Sequence, residues 1–481
     1  MNKKMIFATL GKLTISEAAL MLIPLTVSLL YGEWSVALSF LISALITLAT
    51  GVILYLTCKT NNKLIFAKEG FIIVAFGWII MSLLGAIPFV LSGDIPSFID
   101  AFFETVSGFT TTGATILADI EVLSHGTLFW RSLTHWIGGM GVLVFIMAIL
   151  PSMTDRSIHI MRAEMPGPIV GKIVPRASQT ARILYVIYFA MTAFEVIMLL
   201  CGGMSLYESF IHAFGTAGTG GFGIKNDSLA SYSPYLQWVI TVFMFLFGIN
   251  FNIYYLMLLK KLKYAFKSGE LWTYVGIALV STVVICINIA PLYSTLEEAI
   301  RISSFQVSSL ITSTGFSSAN FNSWPILSKT VLMILMFIGA CAGSTGGGFK
   351  VARIVLLFKM IKQELRRAIH PRSVTAVKFE GKVVEKTMLE GAGSYLAIYL
   401  LFFIATLILI SFEPFDFEMN FSAALSCINN NGPIFSQSIA SPSFANYSSI
   451  SKFILSFAML FGRLEIYPLL IALTPTTWTK K

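Results

Sequence analysis

Four short tracts carry the groups a dehydrated cation needs. The first reads Thr110-Thr111-Thr112-Gly113-Ala114 and the second Gly218-Thr219-Gly220-Gly221-Phe222. The third reads Thr312-Ser313-Thr314-Gly315-Phe316 and the fourth Asn429-Asn430-Asn431-Gly432-Pro433. Four loops around one axis surround an ion with backbone carbonyl oxygens, which replace its hydration shell. Glycine belongs where the chain must turn carbonyls inward through backbone angles that a side chain forbids. The Thr, Ser and Asn before each Gly add short polar groups beside the same path. One Gly in a Thr-rich tract is an ordinary turn; four at matching places are a pattern.

The elements that position these tracts are membrane helices. The 481 residues are 56% hydrophobic and 12% charged, with a mean hydropathy of +0.80. A soluble chain carries about twice that charge. Apolar runs long enough to cross about 30 Å of hydrocarbon lie near 8–30, 34–57, 70–92, 127–150, 183–203, 235–259, 272–292, 326–360, 391–411 and 452–473. Between them, semi-polar stretches near 97–115, 205–222, 297–316 and 418–433 are too short to span. Irregular backbone at membrane depth is tolerated only inside protein or along a watery path, so these four read as re-entrant. Each has a helix-prone segment whose C-terminus, the negative end of its dipole, aims at the ion.

The fold class expected is therefore an all-α polytopic membrane protein: four helix–loop–helix repeats around a pseudo-fourfold axis, plus an N-terminal two-helix hairpin. The divisions are 1–66 for the hairpin, 67–160 and 161–268 for repeats one and two, 269–370 for repeat three and 371–481 for repeat four.

Charge placement sets the orientation. With both termini cytoplasmic, 27 of the 33 Lys and Arg fall on the inner side, as the positive-inside rule requires. The net charge of +9 is thus topogenic, and no nucleic-acid partner is expected. Asp94, Asp100, Glu104, Asp119, Glu121, Glu208, Asp227, Glu297, Glu298, Glu413, Asp416 and Glu418 fall outside. They read either as a carboxylate ring that concentrates cations at a mouth or as ordinary loop charges. The five cysteines show no metal-site or disulfide spacing, and they read as small buried hydrophobes.

Two features stand out within the spans. Gly343-Ser344-Thr345-Gly346-Gly347-Gly348 interrupts the second helix of the third repeat. Phe349 separates Gly348 from Lys350, so P-loop spacing is not met; an unwound, mobile segment below the four tracts is expected instead. Arg463 lies in an apolar helix, where a charge needs a partner or a watery cavity. Glu465, two residues on, points to another side of that helix, about 200° away. His135 and His212 read as structural residues.

These residues resemble the Trk/Ktr/HKT potassium transporter superfamily, and most of all TrkH/TrkG-type bacterial membrane subunits. Further anchors are FWRSLTHWIGGMGVLVF at 129–145, GACAGSTGGGFKVAR at 339–353 and GRLEIYPLL at 462–470. The resemblance implies a K⁺ selectivity filter at Thr111, Thr112, Gly113, Gly220, Gly221, Thr314, Gly315, Asn431 and Gly432. The ion itself lies against Thr112, Gly113, Gly221, Thr314, Gly315, Asn431 and Gly432. Gly221 is chosen over Gly220 because it precedes a Phe, as Gly315 does. In plant relatives Ser at the first position accompanies sodium preference, so Gly113 implies potassium. The resemblance makes Gly343–Gly348 the intramembrane gate and Arg463 the pore-facing arginine beneath the filter. It also implies a bacterial cytoplasmic (inner) membrane location, a homodimer, and a cytosolic TrkA-type nucleotide-binding regulatory subunit. No cofactor is expected, K⁺ being the transported ion.

A channel-like pore is one reading; a symporter coupled to H⁺ or Na⁺ is another. Symport calls for an ionisable residue in an alternating-access site, and the candidates Glu17, Glu195 and Glu465 are sparse. An intramembrane enzyme needs clustered His, Asp or Ser/Lys pairs at membrane depth, which the sequence does not show.

Overall fold

The computed structural model describes residues 2–60, 67–141, 177–372, 376–380, 382–384, 386–436 and 443–478. Lipid offers no water to backbone groups, so a spanning chain must satisfy them internally, as helices do. Among the described residues helix dominates, joined by one small antiparallel hairpin, Lys378–Phe379 against Lys382–Val383. Among the described residues six helices are long and apolar enough to cross a membrane, or up to eight if each of two bent pairs counts as one span. The chain is a multi-pass membrane protein.

An N-terminal hairpin comes first: Lys3–Leu20 and Leu22–Leu30, then Trp34–Thr57 returning against them. Four units of one plan follow. Their leading helices are Ala67–Gly85 (continued by Ile87–Ser92), Ala177–Cys201, Gly269–Ile289 and Lys386–Ile410. The short helices are Phe98–Phe109, Leu206–Ala217, Leu296–Ile311 and Phe417–Asn429. Return helices begin at His125, Pro234, Ile326 and Ser449.

The short helices start for one local reason. Ser97, Ser205, Thr295 and Asp416 are their N-caps, each side chain accepting a first-turn backbone N–H. Asp100, Glu208, Glu297, Glu298 and Glu418 sit in those first turns, where the helix dipole favours negative charge. Six of the twelve acids expected around a mouth, these five and the N-cap Asp416, are thus helix-start acids.

The return helices differ from the expectation of straight spans in repeats two and four. In repeat two, Pro234–Phe247 and Phe251–Leu258 bend by 89° at their break. In repeat four, Ser449–Arg463 and Tyr467–Leu473 bend by 116°. Repeat three breaks for longer than the glycine run alone, from Gly339 to Lys350, between Ile326–Ile338 and Val351–Ile369. In repeat one the helix ends at Gly139, with Gly141 at φ +83°; the rest of the span expected at 127–150 lies outside the described residues. So do the divisions at 66/67 and 160/161 in part, and Lys63, Arg156, Arg162, Lys172, Arg176, Lys480 and Lys481.

Packing closes the units into a ring. Each return helix packs on the short helix of the next unit, and the fourth packs on the first, Phe98–Phe109. Polar bridges at the outer end repeat the scheme. Arg301 of the third short helix donates to Gln237 Oε1 on the second return helix. Lys329 Nζ meets Glu418 Oε1 at 3.0 Å, and Lys452 Nζ meets Asp100 Oδ1 at 2.8 Å.

Candidate functional site

The four tracts adopt one backbone conformation. The residue two before each key glycine is left-handed: Thr111 at φ +55°, Thr219 at +55°, Ser313 at +56° and Asn430 at +53°. The glycines follow suit: Gly113 at +77°, Gly221 at +75°, Gly315 at +86° and Gly432 at +88°. Only glycine adopts that region without steric cost. Each tract is tied to its short helix by the same hydrogen bond, from Thr112, Gly220, Thr314 and Asn431 N–H to Ser107, Gly215, Ser309 and Ser426 carbonyls, at 2.8–2.9 Å. Gly220 lacks the positive φ, and a side chain there would strike the His135 ring.

The loops also face one another cyclically. A Cβ on Gly113 would collide with the Gly220 carbonyl oxygen, and one on Gly221 with that of Thr314. One on Gly315 would lie 2.6 Å from the Asn431 oxygen, and one on Gly432 2.7 Å from that of Thr112. Every glycine therefore abuts the carbonyl preceding the glycine of the next unit, and the fourth meets the first. Gly113, Gly315 and Gly432 open onto an outer cavity of about 630 Å³, lined as well by Thr115, Asp227 and Asn320.

The three asparagines are occupied as anchors. Asn429 Nδ2 donates to Tyr399 Oη at 2.9 Å, and Asn431 Nδ2 to the Leu310 carbonyl at 2.8 Å. Asn430 Nδ2 bridges Thr112 Oγ1 and the Met459 carbonyl, both at 2.9 Å. Threonine pairs stiffen the first and third tracts, Thr110 with Thr112 at 2.8 Å and Thr312 with Thr314 at 2.7 Å.

Sequence reasoning assigned no role to Arg131 and placed Glu104 only among the outer acids. Both are buried, and Arg131 Nε donates to Glu104 Oε1. The Arg131 guanidinium lies 3.4 Å from the Phe222 ring centre and donates to the Gly223 carbonyl at 3.3 Å. Glu104 accepts from Thr115 Oγ1 and Ile116 N–H, each at 3.0 Å. One ion pair thereby holds the outer limbs of loops one and two together. The available signal was a charge inside FWRSLTHW, at membrane depth.

The broken third return helix lies directly against the inner ends of the tracts. Gly347 N–H donates to Ser313 Oγ, and Gly348 N–H to the Asn429 carbonyl at 2.9 Å. The segment also fills the break in repeat two: Cys341 N–H donates to the Gly248 carbonyl at 3.1 Å, and Phe251 N–H to that of Gly343 at 3.0 Å. Lys350, a non-glycine at φ +82°, donates from its buried ammonium to the Gly346 carbonyl.

Arg463 crosses beneath. It donates to the Thr345 carbonyl at 3.0 Å and to those of Gly138 and Gly139 at 2.6 and 2.7 Å. The last two belong to the C-terminal end of the first return helix, whose final carbonyls have no intrahelical partner. Arg463 thus joins repeats one, three and four. Its helix ends at that residue, so the helical argument about Glu465 does not apply; Glu465 takes φ +54° and pairs with Arg353.

A family described as "Cation transport protein", TrkH, matches residues 37–478. The Trk system potassium uptake protein TrkH of Escherichia coli strain K12 is 34% identical over 99% of this chain and 100% of its own length. The corresponding TrkG of that strain is 32% identical over 95% of each. The crystal structure of the potassium transporter TrkH from Vibrio parahaemolyticus superposes with a TM-score of 0.89 at 30% identity, covering all of both chains.

Proposed function

Because the chain belongs to the TrkH family of cation transport proteins, we propose that it takes up potassium through a gated, channel-like pore with one filter glycine per repeat. What supports the reading above all is the closed ring in which Gly113, Gly221, Gly315 and Gly432 each abut the next unit's carbonyl. Four short helices direct their C-termini at that ring, and their dipoles favour a cation there. Carbonyl oxygens then take the place of water around the ion.

The gate of the proposal is the Gly339–Lys350 segment, latched by Arg463. In the described position it lies across the inner ends of loops three and four and places the Arg463 charge on the path. Potassium passes when Thr345 leaves Arg463 and the segment withdraws. The termini and the basic loops are cytoplasmic, in a bacterial inner membrane. The assembly proposed is a homodimer with a separate nucleotide-binding subunit, since the glycine run here lacks P-loop spacing; light scattering of the purified chain counts its copies.

Flux of radioactive rubidium into proteoliposomes, with sodium as competitor, tests the pore. Rubidium uptake that sodium suppresses as readily as potassium does would sink the filter assignment. Obligatory symport is the second reading. Glu17, a fully buried carboxylate with no hydrogen-bond partner among the described residues, and the equally buried Glu195 are what favours it. Unitary ohmic currents without a proton or sodium gradient would exclude it.

A further inference from the structure

The helix that leaves the gate segment, Val351–Ile369, carries more than its tether. One stripe, Phe358, Ile361, Leu365 and Ile369, is 56–72% exposed, and its spacing of three, four and four residues keeps it on one face. The opposite side is packed: Ala352 and Leu356 join Ala342 of the gate segment and Val377 and Phe379 of the small hairpin in one buried cluster. Between these faces Lys359, Lys362 and Arg366, with Lys378 of the hairpin, line a cavity of about 200 Å³. Lys359 Nζ also holds the hairpin edge, donating to the Lys378 carbonyl at 2.6 Å.

Depth follows from the rise of a helix. With the gate segment at mid-membrane, as the proposed pore requires, a rise of 1.5 Å per residue from Val351 carries Lys359 about 12 Å and Arg366 about 22 Å toward the cytoplasm. Half the hydrocarbon thickness is about 15 Å. The cations therefore straddle the boundary where lipid phosphates lie, and Phe358 and Ile361, the inner end of the stripe, reach the acyl chains.

We propose that this cavity is a binding site for an anionic phospholipid, its phosphate among Lys359, Lys362, Arg366 and Lys378 and its acyl chains along Phe358 and Ile361. An acidic protein segment would satisfy the cations but leave Phe358 and Ile361 uncovered; a lipid satisfies both. The site's wall leads to the gate. Glu380, at the hairpin turn, accepts from Ser268 Oγ and Glu270 N–H at 3.1 Å each. Glu270 in turn accepts from the Ala342 N–H of the gate segment at 2.6 Å. Bound lipid thus seats the hairpin that braces this connection.

The test uses the purified full chain, exchanged from phosphatidylglycerol or phosphatidylcholine into detergent, with retained lipid counted by native mass spectrometry. The chain is expected to retain phosphatidylglycerol preferentially. Lys359→Gln, Lys362→Gln and Arg366→Gln should each weaken retention, roughly fivefold per cation removed. The charge-matched controls Lys260→Gln, Lys261→Gln and Lys263→Gln, made singly, should keep it, as should Lys359→Arg. Equal loss in those controls, undiminished retention in the cavity variants, or equal retention of phosphatidylcholine would overturn the proposal. Displacement by millimolar inorganic phosphate alone would assign the cavity to a soluble anion instead, and exclusive capture of a purified acidic protein would assign it to a partner.

Discussion

At the scale of single residues, strain and charge placement decide what each position tolerates. Gly113 combines φ +77° with a Cβ direction that meets the Gly220 carbonyl, so Gly113→Ser must move loop two or loop one. The expected outcome is lost preference for potassium over sodium, measured as uptake ratios in a strain deficient in potassium uptake. Gly276, with nothing within 4 Å of an added Cβ, is the control; Gly276→Ala should leave the ratio unchanged. Arg463 reaches three carbonyls on two segments, which the planar guanidinium fork suits and a single ammonium does not. Losing one charge-assisted bond of about 1.5 kcal/mol shifts a closed-to-open ratio roughly tenfold. Arg463→Ala should therefore raise basal rubidium flux at least that much, and Arg463→Lys should restore closure only partly. A fall in flux from correctly folded Arg463→Ala would count against the latch.

At the scale of elements, the breaks in the return helices matter more than their lengths. The gate segment completes the broken helix of repeat two by supplying the donor to Gly248 and the acceptor for Phe251. It is therefore held by the backbone of a neighbour as well as by Arg463. Deleting Gly346–Gly348 removes the bonds to Ser313 and Asn429, and leak in proteoliposomes is expected to rise; unchanged leak would mean that the segment does not close the path. The Arg131–Glu104 pair works on the outer limbs of loops one and two. Glu104→Leu leaves Arg131 buried and unpaired, a loss of about 3–5 kcal/mol. A clear drop in thermal stability in detergent is expected, and the double variant Arg131→Met with Glu104→Leu should regain much of it. Selectivity should remain impaired in that double variant, because the Arg131 contacts to the Phe222 ring and the Gly223 carbonyl are then lost.

At the scale of the whole molecule, closure of the ring turns four unlike units into one pore. Its last joint is between the fourth return helix and the first short helix, where Lys452 meets Asp100. A double-mutant cycle with Lys452→Met and Asp100→Asn should give a coupling energy of about 1 kcal/mol, read from thermal unfolding. A coupling of zero would mean that apolar packing alone closes the ring. The six Lys and Arg outside the topogenic set are Arg131, Lys225, Arg301, Lys329, Lys452 and Arg463. Apart from Lys225, which lies over the Tyr232 ring, each joins helices or loops around the axis.

Composition and hydropathy alone determined the membrane class, the helical architecture and the repeat, because each is written in runs of neighbouring residues. The key glycines were legible for the same reason: a turn that demands positive φ selects its residue locally. The following Phe singles out Gly221 over Gly220, and it is Gly221 that takes the positive φ. The sequence showed one broken helix where the described residues have breaks at the corresponding place in units two, three and four, since short interruptions such as Gly248–Asn250 and Leu464–Ile466 leave the apolar run intact. Most of the outer acids read equally well as a cation-gathering ring until their helix starts and ion pairs were seen. Only tertiary structure decided that Asn430 anchors on Thr112, 318 residues away, and that Arg463 reaches Gly138 across 325. Contacts of that kind depend on which units become neighbours when the ring closes, and no local pattern encodes them.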